Sequence, residues 1–446
     1  MDLPMATRST VLADWDGAPG ASVEFGAPHE IAALQSRLLA RHVEHCARNS
    51  PFYREMFARL GVAPEEIRTP ADLARLPLTT KDDLIARNSD FLAVEPEAIV
   101  DVCFTSATVG PVPITVELTA SDLARLGHNE EMAFSLIDIG PRDTLHICAA
   151  LDRCFMAGLA YFLGGLRCGA RVVRGGSGSA AQHWQQMRRT PPTVLVGVPS
   201  LMLRIARCAE EQGERPNALG VRALIAIGEA TRDGAMNLLP TAAHLEDRWG
   251  CPIYSTYAST ELATTFCECK ERRGGHLRPE LIIVEILNER GEPVASGAEG
   301  EVVATPLGVE GTPLLRYQTG DIARLIEEPC VCGRNTPRLG PIRGRKNQML
   351  KVKGTTIFPG AIISALETLQ GVAGCCVEAH RSPDGGDRVT VHVACDSDDV
   401  TADKLASHVA AHTRVTPEIQ RITVEALTAM IVMPGKRKPV TFLDRR

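Results

Sequence analysis

The chain has 446 residues, about three domains' worth at roughly 150 residues each. Apolar residues make up 44% and charged residues 23%, the balance of a globular protein that builds its own core. A net charge of −6 and an aromatic content of 4% exclude polyanion binding as the main business and a base-stacking platform, so no nucleic-acid partner is expected.

In chain order, Ile31, Leu34, Leu38 and Leu39 recur at helical spacing. Asn49-Ser50-Pro51 then ends that helix and starts a second at Pro51. From about 100 to 230, β-branched runs at 144–148, 170–173 and 193–196 alternate with helical stretches such as SDLARLGHNEEMAFSLI. This alternation predicts βαβ units and a parallel sheet. From 280 to 325, LIIVEIL, GEVVATPL and DIARLIE are divided by Gly/Pro turns and predict an antiparallel, β-rich subdomain. Composition shifts again at IRGRKNQMLKVKG near 343. The remainder reads β-α-β-β-α-β, with strands near 373–379, 388–394 and 420–426 and a helix near 402–413. No apolar run reaches the roughly 18 residues of a membrane span; TVLVGVPSLML is the longest. No membrane partner is expected.

Fourteen cysteines suggest a disulfide framework, but the chain is too long to need one. The start MDLPMATRST has no basic segment followed by an apolar run. A reducing, cytoplasmic compartment is the expectation. Most of the cysteines lie among apolar neighbours, as buried thiols do; Cys375 and Cys376 are adjacent and read as core. Cys269, His276 and the Cys330-Val331-Cys332-Gly333 knuckle differ, because three thiolates and one imidazole make a closed tetrahedral zinc site. Cys267 competes with Cys269 for one ligand position. A closed site has no place for water, so its expected role is structural Zn²⁺.

Thr105-Ser106-Ala107-Thr108-Val109-Gly110-Pro111 precedes the run Ile114-Thr115-Val116. Small hydroxyl residues and a glycine let N–H and O–H groups surround phosphate oxygens, although an ordinary turn has the same composition. The loop resembles the phosphate-binding loop of the adenylate-forming superfamily, which typically reads Thr-Ser-Gly-Thr-Thr-Gly-Lys-Pro. Ala107, Val109 and Pro111 depart from that pattern. Further motifs follow in the superfamily's order, and nearly the whole chain resembles its phenylacetate–CoA ligase branch.

The resemblance implies that Thr105, Ser106, Thr108, Gly110, Gly228, Glu229, Ala230, Tyr257, Ala258, Ser259, Asp321 and Arg345 bind the nucleotide. Gly228-Glu229-Ala230 would line the adenine pocket, Tyr257 would stack on adenine, and Asp321 would hold the ribose hydroxyls. Thr260 would contact the α-phosphate, Glu261 would hold Mg²⁺, and Lys436 of Gly435-Lys436 would reach the acyl carboxylate and α-phosphate. Asn347 occupies the interdomain hinge, where the family usually has Asp-Asp. Lys351, Lys353 and Gly354 would form a face presented for thioester formation.

The resemblance also places an acyl pocket near Arg153, Phe155, Met156 and Tyr161, a flat slot suited to an aromatic acid. Plain core packing for Phe155 and Met156, and a surface ion pair of Asp152 with Arg153, are the competing readings. Family members can carry a structural zinc at places matching Cys269, His276, Cys330 and Cys332.

The implied fold class is α/β. A large N-terminal adenylate-forming domain with parallel sheets and a β-rich subdomain spans 1–343. A small, mobile α+β C-terminal domain spans 344–446. The implied activity is ATP-dependent activation of an aromatic carboxylic acid to acyl-AMP with pyrophosphate release, then thioester formation with coenzyme A. A carrier-protein phosphopantetheine as acceptor, adenylation without thioester formation, and a catalytically degenerate nucleotide-binding protein are the alternatives. A homodimer is a candidate assembly.

Overall fold

The computed structural model describes residues 23–105, 113–352, 355–382, 386–396, 399–432 and 440–446. The described chain divides into two compact units. The first comprises residues up to Glu229, Glu246–Thr319 and Ala323–Pro341; the second comprises Ala230–Leu245, Gly320–Ile322 and Ile342–Arg446. The border at 341/342 lies two residues before the 343/344 border expected from the sequence, and the second unit also takes in two earlier segments.

The first unit opens with helices α1 (Pro28–Asn49) and α2 (Pro51–Leu60). Pro51 starts α2, where its missing N–H costs nothing, and the Ser50 hydroxyl accepts from Tyr53 N at 3.5 Å. A short helix α3 (Lys81–Ala86) follows, then the antiparallel pair β1 (Ile99–Phe104) and β2 (Thr115–Thr119) and the helix α4 (Ala120–Ser135).

The α/β body then runs β3 (Thr144–Ile147), α5 (Met156–Arg167), β4 (Arg171–Arg174), α6 (Ala180–Arg189), β5 (Val194–Gly197), α7 (Pro199–Glu211), β6 (Ala223–Ile227), α8 (Pro240–Trp249) and β7 (Ile253–Ser259). These strands are parallel in the order β7-β6-β5-β3-β4. Strands β3, β5 and β6 are buried along their whole length, which is why they read as continuous apolar runs rather than alternating ones. The sheet continues antiparallel from β7 through β8 (Thr264–Glu268), β9 (Gly275–His276) and, at its far edge, β14 (Arg338–Leu339) and β13 (Leu325–Ile326). The expected β-rich stretch forms β10 (Ile282–Leu287), antiparallel to β11 (Gly300–Pro306), and β12 (Tyr317–Ala323).

In the second unit, Asp321 and Ile322 of β12 pair with β15 (Gly344–Arg345). Strands β16 (Leu350–Val352) and β17 (Thr355–Ile357) form a hairpin. Helix α9 (Pro359–Leu366), β18 (Val372–Arg381), β19 (Asp387–Cys395), α10 (Ala402–Thr413), β20 (Glu418–Ile422), α11 (Val424–Ile431) and β21 (Phe442–Asp444) complete it. The four-stranded sheet has the order β20-β19-β18-β21. Cys375 joins one core with Leu350, Ile362 and Leu405, while Cys376 joins another with Leu427 and Leu443. The two-residue period of a strand sends the adjacent thiols to opposite faces.

The strand expected near 420–426 ends at Ile422. The Thr423 hydroxyl accepts from Ala426 N at 3.1 Å and starts α11 instead, because a capped helix end satisfies donors that a strand continuation would leave open.

Candidate functional site

In the first unit the motif residues gather at the carboxyl ends of neighbouring parallel strands. Ile227 pairs with Thr256, so Gly228-Glu229 and Tyr257-Ala258-Ser259 leave β6 and β7 side by side. That edge is where open α/β sheets bind ligands. Gly228 has φ +70°, a left-handed turn that glycine adopts without strain. The Glu229 carboxylate accepts from Ser200 N at 2.8 Å and Ser200 Oγ at 2.6 Å, which caps the start of α7. Tyr257 is half-buried, with its ring 5.7 Å from that of Phe266.

Thr260 and Glu261 occupy the tight turn between β7 and β8. Ser259 Oγ accepts from Leu262 N at 3.3 Å, and Glu261 Oε1 accepts from the Tyr317 hydroxyl at 3.3 Å. Arg125 on α4 secures this turn from below. It is buried and donates to the carbonyls of Ala263 (2.7 Å), Leu281 (2.7 Å) and Leu307 (2.8 Å) and to Thr264 Oγ1 (3.0 Å). Nothing in the motif reading pointed to Arg125. A charged residue among the helical stretch's other polar residues reads as solvated, and only the packing reveals that side as buried.

Thr105 closes the base of the phosphate-loop candidate: its N–H donates to Ile114 O at 3.0 Å and its hydroxyl accepts from Ile114 N at 3.3 Å. Ser106, Thr108 and Gly110 lie outside the described residues, as do Lys353, Gly354 and Lys436.

In the second unit, Asp321 is buried and pairs with Arg345, Nε to Oδ1, at 3.4 Å. Ala230 belongs to this unit as well. Asn347 sits in the single turn Lys346–Gln348. Arg446 holds that segment by donating to Asn347 O at 2.9 Å and Met349 O at 2.7 Å. Lys351 N donates to Asp387 Oδ2 at 2.7 Å, and its side chain is exposed.

Among the acyl-pocket candidates, Phe155 is half-buried against the main core and Met156 is buried. Tyr161 is a core side chain, stacked on Phe134 at 6.1 Å between centroids. Arg153 is exposed, with φ +59°, and pairs with Asp152 at 3.8 Å. Behind Tyr161 lies Glu130 on α4, which sequence reading also missed. Burial pushes its carboxyl up to about 7, against opposing hydrogen bonds from Thr265 and Asn129.

Cys269 Sγ, His276 Nε2, Cys330 Sγ and Cys332 Sγ converge within 4.8 Å of one another. Zinc–sulfur and zinc–nitrogen bonds of about 2.3 and 2.05 Å in a tetrahedron predict edges of about 3.8 Å between sulfurs and about 3.6 Å between sulfur and nitrogen. The structure has 3.8 Å for Cys269–Cys330 and 3.4 Å for Cys332–His276. His276 Nδ1 meets Thr336 Oγ1 at 3.2 Å, which fixes the ring as outer-shell partners of metal ligands do. The donor set therefore fits zinc. Cys267 stands outside the cluster, and its sulfur accepts from Thr256 Oγ1 at 3.4 Å.

All fourteen cysteines are free thiols, and no helix among the described residues is long and apolar enough to cross a membrane.

The AMP-binding enzyme family model matches residues 46–309. The phenylacetate-coenzyme A ligase of Thermus thermophilus is 30% identical over 343 residues, covering 76% of this chain and 75% of its own. That of Pseudomonas putida is 30% identical over 385 residues, covering 84% and 82%. Among solved structures, 2-hydroxyisobutyryl-CoA ligase in the postadenylation state superposes with a TM-score of 0.83 at 20% identity, covering 97% of this chain and 94% of that one. The last comparison is a likeness of fold.

Proposed function

Because the chain belongs to the phenylacetate–coenzyme A ligase family of AMP-binding enzymes, we propose that it joins an aromatic carboxylic acid to coenzyme A in two ATP-driven steps. In the first, a carboxylate oxygen attacks the α-phosphorus of ATP. The bond to the bridging oxygen breaks, and pyrophosphate leaves with its electrons. In the second, the thiol sulfur of coenzyme A attacks the acyl carbon of the acyl-AMP, loses its proton, and AMP leaves.

One observation carries the reading. The β6–β7 register puts the Gly228-Glu229 turn beside the Tyr257–Glu261 run at the carboxyl edge of a parallel sheet. Thr105 and Thr260 would donate to phosphate oxygens, and Tyr257 would flank adenine. Tyr317 orients Glu261 by its hydrogen bond, leaving that carboxylate suited to Mg²⁺, which prefers hard oxygen ligands. The cation would neutralise charge on the phosphates. Asp321, held by Arg345, would accept from the ribose hydroxyls, and Lys436 would bring a cation to the α-phosphate.

The residues from about 344 onward would act as the moving domain, turning about Asn347 so that Lys351, Lys353 and Gly354 replace Lys436 for thioester formation. One surface cannot present both the adenylation lysine and the thiol-binding face. Zinc at Cys269, His276, Cys330 and Cys332 would be structural, since four protein ligands leave no open position.

The test is pyrophosphate release from Mg·ATP with a panel of phenylacetates, benzoates and aliphatic acids, with and without coenzyme A. Release with aryl acids, and thioester only when coenzyme A is present, is expected. No release with any acid sinks the ligase reading, and release confined to aliphatic acids overturns the aromatic preference.

A further inference from the structure

A second knot of metal-binding side chains lies in the first unit, apart from the residues given roles above. His146 is on β3, Cys148 follows that strand, and His183 is on α6. All three are buried. Burying three polar heads together is costly unless something satisfies them. His146 Nε2 lies 3.0 Å from His183 Nδ1, Cys148 Sγ lies 3.5 Å from the same Nδ1, and all three atoms fall within 4.8 Å of one another.

A hydrogen bond between the imidazoles uses one nitrogen of each ring. His146 Nδ1 then has no hydrogen-bond partner among the described residues. The far nitrogen of His183, Nε2, is likewise buried without a hydrogen-bond partner among the described residues. Gly175, just past β4, keeps the space in front of the rings open. A Cβ there would stand 2.5 Å from His146 Nε2 and 2.8 Å from His183 Nδ1.

We propose that His146, Cys148 and His183 form a second metal site, for a soft divalent cation of the zinc class. The tetrahedral edges that zinc imposes are about 3.4 Å between two nitrogens and about 3.6 Å between nitrogen and sulfur. The observed 3.0 and 3.5 Å need only a small opening of the imidazole pair. Two imidazoles and a thiolate are a donor set for zinc or copper, not for magnesium or calcium. On coordination, the Cys148 sulfur forms the metal bond with the electron pair of its S–H bond, and the proton passes to solvent.

The site lies where strand order reverses. β3 has β4 on one side and β5 on the other, and Cys148 N donates to Val196 O at 2.8 Å. A metal here would tie the end of β3 to α6 and fix the start of the connection that carries Arg153 and Phe155.

The full chain is produced in zinc-supplemented medium, and its metal content is measured by mass spectrometry for the wild type and for Cys148→Ala, His183→Gln and Cys332→Ser. Loss of one zinc per chain with Cys148→Ala or His183→Gln, independent of Cys332→Ser, is expected. Unchanged zinc in a folded Cys148→Ala chain overturns the site. Should both variants of the site fail to fold, cobalt loading of the Cys332→Ser chain decides. A bound cobalt with the charge-transfer absorption of a single thiolate supports the site, and its absence overturns it.

Discussion

Replacing Glu130 by glutamine tests whether a buried carboxyl is held neutral inside the first unit. Helices α4 and α5 pass so closely that a Cβ at Gly164 would lie 2.3 Å from Glu130 Cβ, and Glu130 is buried. Its ordinary value of 4.5 rises to about 7 through burial. Each factor of ten in proton affinity is about 1.4 kcal/mol, so ionising this group in the fold costs about 3 kcal/mol. Between those values the folded chain binds a proton that the unfolded chain has released. Stability therefore falls as pH rises through the window, with the cost absent below 4.5 and complete above about 7. Glutamine keeps an oxygen for the Thr265 and Asn129 donors and never ionises. Urea unfolding of both proteins at pH 4.5 and at about pH 8 should show the variant gaining about 3 kcal/mol relative to wild type over that interval. Any fixed cost of the amide cancels in the difference. A difference in stability that is the same at both pH values would refute the buried-carboxyl argument.

Lys436→Ala should abolish pyrophosphate release yet spare thioester formation from preformed acyl-adenylate; equal loss of both half-reactions would remove its assigned role. Tyr317→Phe deletes the hydrogen bond to Glu261, worth about 1 kcal/mol, and should raise the KM for Mg·ATP several-fold in steady-state assays. Arg125→Met leaves three carbonyls and a hydroxyl without their donor. At about 1 kcal/mol each, chemical denaturation should show a loss of at least about 3 kcal/mol. Gly344→Ala would put a Cβ 2.2 Å from the Phe358 ring at φ +148°, so thermal unfolding of the second unit should shift downward by several degrees.

Sequence patterns revealed elements whose physics is local. Asn49-Ser50-Pro51 breaks the first helix with a cap and a proline, and the strands at 144–147 and 194–197 read as apolar runs because both faces are covered. What stayed hidden depends on where side chains point. Helix α4 was legible as a helix, but Asp122, Arg125, Asn129 and Glu130 are buried, which amphipathic patterning assigns to solvent. The candidate zinc donors were legible by type, whereas the choice between Cys267 and Cys269 needed the fold, which brings only the Cys269 sulfur to the other three donors. Tyr161 was a candidate pocket wall only through the family resemblance, and its stacking on Phe134 emerges only with α4 packed against α5. The apolar run after Thr423 read as a strand, and one threonine hydroxyl decided for helix.

The zinc cluster also bears on how this protein avoids sticking to itself. The nine-stranded sheet ends in β14 and β13, each two residues long, paired to β9. Cys330 and Cys332 lie in the loop joining those two strands, and His276 is on β9 itself. A hairpin this short has little hold of its own. Zinc bound by these four residues would staple it over the sheet's open side. Chain that emerges where zinc is scarce would leave β9 and β8 as a bare strand edge, a template for pairing with another molecule. Its yield of soluble protein should then track zinc supply, even for a variant with no ligase activity.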